Sequence, residues 1–136
     1  MKALIVAASL LLSFSAFAGT SPKAGDKSAV VCATDDAQTC VQLQFLADVN
    51  SSSESSFIVN IATANNAEIY NLKVDLWMKM GSHGHGSAPV EIENTSANVA
   101  KITNAWFVMS GPWLIRVDFD LNGQHQHLEI PVYVAQ

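Results

Sequence analysis

The sequence predicts an all-β fold, an immunoglobulin-like antiparallel β-sandwich of about seven strands. Short runs of alternating apolar and polar residues recur along the chain, and turn residues separate them. No stretch after residue 18 combines helical periodicity with capping residues. Seven short strands in about a hundred residues are typical of a two-layer sandwich.

We predict strands at 41–45, 57–61, 72–80, 90–93, 99–109, 113–121 and 127–134. The run 72–80 is the clearest, because every second residue from Leu72 to Met80 is apolar. After the similar run 113–121, Asn122-Gly123 supplies the two positive-φ residues of a type I′ hairpin turn. Trp106 and Trp113 are expected to belong to the core.

The N-terminal residues predict export. Met1-Lys2 precedes an apolar run, and small residues ending in Ala16-Phe17-Ala18 form an A-x-A cleavage site. The run is shorter than the roughly 20 apolar residues of a membrane span, so we expect no stable membrane insertion after cleavage. The expected organisation is a signal peptide at 1–18, a flexible lead segment at 19–29 and one domain at 30–136, located in the periplasm or secreted.

Charge and cysteine content narrow the possible functions. Without Lys2 the chain has six basic and twelve acidic residues, a net charge of −6, which argues against nucleic-acid binding. Cys32 and Cys40 are the only cysteines, and an oxidising compartment favours a disulfide between them. The alternative is a thiolate metal site, although the Cys-x7-Cys spacing is unusual for zinc or redox motifs.

The placement of the histidines suggests metal binding. All four lie in His-x-His pairs, His83/His85 and His125/His127. The first pair belongs to the segment 78–86, which also contains two methionines at the end of a predicted strand. Thioether and imidazole groups are ligands that suit copper, so copper is the expected cofactor.

We expect one mixed ligand set at this segment, made of Met80, His83, His85 and Met109. Met78 lies further inside the apolar face and is expected to be a core residue. Short antiparallel connections would return Met109 to the end of the sandwich that carries the first histidine pair. The alternative is a flexible, solvated Gly-rich loop whose histidines bind nothing specific.

His125 and His127 form a second candidate metal pair. Residues i and i+2 of a strand point the same way, so their imidazoles can chelate one ion. Their position beside the Asn122-Gly123 turn favours solvated side chains instead. The same strand directions place this pair at the opposite end of the sandwich from the first.

The second half of the chain carries an ordered series of motifs: Met78-x-Met80, then His83-Gly84-His85-Gly86-Ser87-x-Pro89-Val90, then Ile102-Thr103-Asn104 before Phe107-x-Met109-x-Gly111-x-Trp113. This series resembles the YtkA-like family of small exported β-sandwich domains, which is related to FixH-like domains. Two positions depart from the family pattern, with Lys79 between the methionines and Ser110-Gly111-Pro112 before the tryptophan. The resemblance implies a sandwich fold and an association with copper handling or respiratory-oxidase assembly, with a partner protein of that kind.

Enzymatic signatures are missing from the sequence, and we expect no enzyme. There is no Gly-x-Ser-x-Gly elbow, and cysteines in a disulfide offer no nucleophile. Asp118 and Asp120 share a strand face, which is the ordinary pattern of an exposed charged surface. The alternative to a copper-binding module is a sandwich that binds a protein partner through an edge strand or an aromatic patch near Trp77.

Overall fold

The computed structural model describes residues 27–136 as nine β-strands in two antiparallel sheets. The five-stranded sheet has the order β1-β2-β3-β7-β6, and the four-stranded sheet has the order β5-β4-β8-β9. The strands are β1 Ser28–Cys32, β2 Cys40–Phe45, β3 Ser55–Ala62, β4 Ile69–Met80, β5 His83–Gly86, β6 Glu91–Ser96, β7 Val99–Ala105, β8 Gly111–Leu121 and β9 Gln124–Val134. A 3-10 helix, Ala64–Asn66, connects β3 to β4.

The predicted sandwich is confirmed, with nine strands in the described residues where we expected about seven. The two additional strands are β1 and β5. β1 starts at Ser28, two residues before the expected domain boundary. The predicted signal peptide at 1–18 and residues 19–26 of the predicted lead segment lie outside the described residues.

The core lies between the sheets and is built from the alternating apolar faces identified in the sequence. Its largest fully buried side chains come from both layers: Trp113, Phe57, Phe107, Phe119, Leu43, Leu76, Ile102, Ile115 and Ile130. Trp113 meets Phe107 edge to face, with ring centroids 5.4 Å apart. Its indole N–H donates to the carbonyl of Met109 at 2.9 Å, so burial of this ring leaves its polar atom satisfied.

The segment after β7 differs from the prediction. β7 ends at Ala105 instead of residue 109, next to Asn104, whose φ of 55° interrupts the extended backbone. The prediction that both tryptophans belong to the core is wrong for Trp106, which is 41% exposed, whereas Trp113 is 1% exposed. The indole N–H of Trp106 donates to the side-chain oxygen of Asn104 at 3.0 Å, so the exposed ring is held against the end of β7.

Two local predictions are confirmed. Asn122 and Gly123 have φ values of 52° and 77° and form a two-residue turn between the paired residues Leu121 and Gln124. Cys32 and Cys40 are directly opposite in β1 and β2 and form a disulfide with an S–S distance of 2.05 Å.

Within residues 27–136, no helix has the length and apolar character needed to cross a membrane.

Candidate functional site

His83 and His85 lie in a strand, where the sequence predicted a loop. A two-residue turn, Gly81-Ser82, folds β5 back along β4 and pairs Met80 with His83 and Met78 with His85. Gly81 has a φ of 56°, a conformation that glycine adopts without strain. The hairpin therefore fixes both histidines relative to the two methionines.

The register places sulfur and nitrogen ligands on one face of the sheet. Directly opposite residues of an antiparallel pair project to the same side, so His83 lies beside Met80 and His85 beside Met78. Met78 is 8% exposed and belongs to the core, as predicted, whereas Met80 is 37% exposed at the rim. The two imidazoles are exposed and meet edge to face, with ring centroids 5.6 Å apart.

Met109 lies at the same end of the sandwich as this hairpin. It is two residues before Gly111, and Gly111 lies close to Met78, since a Cβ added at Gly111 would be 3.0 Å from the Cε of Met78. The hydroxyl of Ser87, just after β5, donates to the carbonyl of Trp106, which links the two segments. Strand pairing brings Met80, His83 and His85 together. Met109 is not part of this hairpin and shares with them only the same end of the sandwich.

On the opposite face, Trp77 covers the glycines of β5. A Cβ at Gly84 would lie 2.6 Å from three atoms of the Trp77 ring, and one at Gly86 would lie 3.8 Å from it. The guanidinium of Arg116 lies 4.4 Å from the centroid of the same ring, within cation–π range. Asp75 holds Arg116 through two hydrogen bonds of 2.9 and 2.6 Å. Trp77 therefore anchors the histidine strand from behind.

The second histidine pair lies among carboxylates, which the prediction from sequence did not place beside it. His125 is directly opposite Asp120, and His127 is directly opposite Asp118, on adjacent strands. Asp118 Oδ1 lies 2.8 Å from His127 Nδ1 and 3.1 Å from His125 Nε2. Asp120 Oδ1 lies 3.3 Å from His125 Nδ1, and Glu129 Oε1 lies 3.4 Å from His127 Nε2.

This network shifts the pKa values of His127 and Asp120. The hydrogen bond with Asp118, and a weaker one with Glu129, raise the pKa of His127 above its ordinary value of 6.5. Hydrogen bonds from Asn71 and His125 lower the pKa of Asp120. Protonated imidazole and ionised carboxylate therefore favour each other on this face.

The two histidine pairs are far apart, as predicted. His85 pairs with Met78 of β4. His127 pairs with Asp118 of β8, which pairs in turn with Lys73 of β4, so His127 is level with Lys73. Five residues of strand separate those levels, about 17 Å at roughly 3.3 Å per residue. In the part of the chain that the structure describes, no group of three or more His, Cys, Asp and Glu side chains is arranged as it stands to hold a metal ion.

An open cleft of about 710 Å³ lies beside the second pair, between the end of β1 and the start of β9. It is lined by residues 31–35 and 124–129, which include both histidines of the pair and Cys32 of the disulfide. The cleft leaves the second pair accessible to solutes.

Comparison of the chain with protein-family models, with curated proteins and with solved structures finds no match. The resemblance to the YtkA-like and FixH-like domains stays a prediction from the motifs.

Proposed function

We propose that this protein is an exported copper-binding β-sandwich that stores, buffers or passes on copper through Met80, His83, His85 and Met109. The observation that supports the proposal most directly is the register of the β4–β5 hairpin, in which Met80 is opposite His83 and Met78 is opposite His85. A fixed strand pair reduces the entropy that a flexible loop would lose when its side chains gather around an ion.

The chemistry of the four side chains favours copper. Thioether sulfur suits Cu(I), and imidazole nitrogen suits both oxidation states of copper. Mg(II) and Ca(II) prefer oxygen ligands, so this set discriminates against them. We therefore expect the site to prefer Cu(I), because it includes thioether sulfur ligands that a site of nitrogen and oxygen ligands alone would lack.

The position of the set suits exchange of the ion. β5 is an edge strand of its sheet, and Met80, Met109 and both histidines are exposed. A partner protein can reach an ion at such a rim without unfolding the sandwich. A copper-handling or oxidase-assembly protein is the kind of partner that we propose.

Export is supported by two features. The N-terminal sequence has the pattern of a signal peptide, and the disulfide between Cys32 and Cys40 is typical of an oxidising compartment. A periplasmic or extracellular location is therefore part of the proposal.

A Cu(I) competition titration with a chromogenic chelator tests the proposal. The variant His83→Ala/His85→Ala should lose the tight Cu(I) site, and His125→Ala/His127→Ala is the matched control with the same change in composition. The control should bind Cu(I) as the wild type does. Equal loss of affinity in both variants, or unchanged binding by the first, would show that the ligand set is wrong.

A second candidate function is a non-metal interaction module. Trp106, Val108 and Met109 follow one another closely and are all exposed large apolar residues at the same end of the sandwich. Exposed apolar clusters commonly mark protein-binding surfaces. This alternative replaces the first if the wild-type protein binds no copper.

A further inference from the structure

We propose that His125, His127 and Asp118 form a second, independent cation site, suited to a divalent transition metal of the Zn(II) class. The site lies on the outer face of the four-stranded sheet, about 17 Å along the strands from the copper ligands. It does not depend on the proposed copper site, because none of its residues belongs to that site.

The strand geometry brings the three side chains to one place. His125 and His127 are at positions i and i+2 of β9 and project to the same side. Asp118 of β8 is opposite His127, and its Oδ1 faces one ring nitrogen of each histidine. Two imidazole nitrogens and one carboxylate oxygen are the donor set of many three-ligand Zn(II) sites.

The two distances from Asp118 to the histidines are close to those between neighbouring ligand atoms in a coordination sphere. Zn(II) bonds of about 2.0–2.1 Å in a tetrahedron hold neighbouring ligand atoms about 3.4 Å apart. Asp118 Oδ1 lies 3.1 Å from His125 Nε2 and 2.8 Å from His127 Nδ1. A cation would need these two oxygen–nitrogen distances to lengthen by only about 0.3–0.6 Å.

The remaining ring nitrogens already have the partners that metal-bound histidines use. Asp120 Oδ1 lies 3.3 Å from Nδ1 of His125, and Glu129 Oε1 lies 3.4 Å from Nε2 of His127. Carboxylates in this position orient the imidazole and raise its basicity towards a metal ion. Each proposed histidine ligand therefore has a carboxylate behind it.

The charge of the face favours a dication. Asp118, Asp120 and Glu129 carry three negative charges, and Lys73, opposite Asp118, carries one positive charge, which leaves −2 with both histidines neutral. Arg116 lies opposite Glu129 but forms its two hydrogen bonds with Asp75. A divalent ion would neutralise the remaining charge.

The site is open to solution and its ligands can move. The side chains of His125 and His127 are 64% and 45% exposed, and both line the cleft between β1 and β9. A small rotation of exposed side chains costs far less than rearrangement of a packed core. A tetrahedral ion held by these three side chains would keep a fourth position for water.

Zn(II) titration by calorimetry tests the proposal, with the His83→Ala/His85→Ala protein as the parent so that the histidines of the copper site cannot contribute. The parent should bind one equivalent of Zn(II), and Mg(II) should not compete. Adding Asp118→Asn should weaken binding at least about tenfold, since the loss of even an outer-shell partner costs that much. Adding Glu91→Gln, an exposed carboxylate on β6 of the other sheet, should change nothing.

NMR of the imidazole nitrogens in the same parent gives a readout that needs no further variant. Zn(II) should shift the ring nitrogens of His125 and His127. No Zn(II) uptake by the parent, equal affinities of the Asp118→Asn and Glu91→Gln proteins, or unshifted imidazole nitrogens would each overturn the site. Failure of the copper proposal is read separately, from Cu(I) titration of the wild type.

Discussion

Replacing Gly84 by alanine should loosen the histidine strand, because its Cβ would collide with Trp77. The Cβ would lie 2.6 Å from Cε2, Cζ2 and Nε1 of the indole, closer than any ordinary carbon contact. The ring cannot move without disturbing Arg116, which lies 4.4 Å from its centroid and is held by Asp75. The clash must therefore be relieved by displacing the indole or β5.

The expected loss of stability follows from two opposing effects. Overpacking of this kind costs about 1–3 kcal/mol. Alanine also restricts the unfolded chain, which returns about 0.4–1 kcal/mol where the backbone accepts it. The net destabilisation of Gly84→Ala should therefore be on the order of 1 kcal/mol, with weaker Cu(I) binding because His83 and His85 flank the displaced residue.

Gly86→Ala is the matched control, since it lies in the same strand under the same ring. Its Cβ would lie 3.8 Å from Trp77, an ordinary contact, so stability should stay equal or rise. Urea denaturation gives both free energies of unfolding, and the chelator titration gives both Cu(I) affinities. Equal stabilities and affinities for the two variants would refute the role of Trp77 as the anchor of β5.

Three further predictions concern stability. Cys32→Ser/Cys40→Ser should lower the free energy of unfolding by about 2–3 kcal/mol in denaturant titrations, the loop-closure value for so short a loop. Because the pKa of His127 is raised from 6.5, its stabilising contribution is complete below that pH and is lost as the pH rises through the folded-state value. Denaturation from pH 5.5 to 8.5 with a chelator present should show this loss, and Asp118→Asn should reduce it, because the hydrogen bond with Asp118 is the largest cause of the raised pKa. Asn98→Ala should cost about 2 kcal/mol by thermal or urea unfolding, since Asn98 has a φ of 60° and its side chain makes hydrogen bonds of 2.9 and 2.8 Å to the backbone. Asn98→Gly should cost less, because glycine keeps the backbone conformation.

Much of the fold could be predicted because a strand that buries one face has an apolar residue at every second position of its sequence. The strands β4, β8 and β9 and the turn at Asn122-Gly123 follow from this pattern alone. β5 could not be predicted in this way, because the alternation of histidine and glycine carries no apolar face. Gly84 of this strand lies against Trp77, seven residues away across a turn, a contact that no period in the sequence indicates.

The candidate sites were predictable to different degrees. The two histidine pairs were visible in the sequence, and the predicted strand directions placed them at opposite ends of the sandwich. The carboxylates around His125 and His127 follow from counting back across the Asn122-Gly123 turn, since a two-residue loop makes 120 and 125, and 118 and 127, opposite pairs. The exposure of Trp106 was not predictable, since it depends on β7 ending at Ala105, just after the positive φ of Asn104.

X-ray absorption spectroscopy of the Cu(I)-loaded His125→Ala/His127→Ala protein tests the central claim most directly. This variant keeps only the proposed copper ligands among the histidines. We predict both sulfur and nitrogen scatterers in the first shell, with the sulfur contribution reduced in Met80→Leu and Met109→Leu. A first shell of nitrogen and oxygen alone, unchanged by either methionine substitution, would contradict the account.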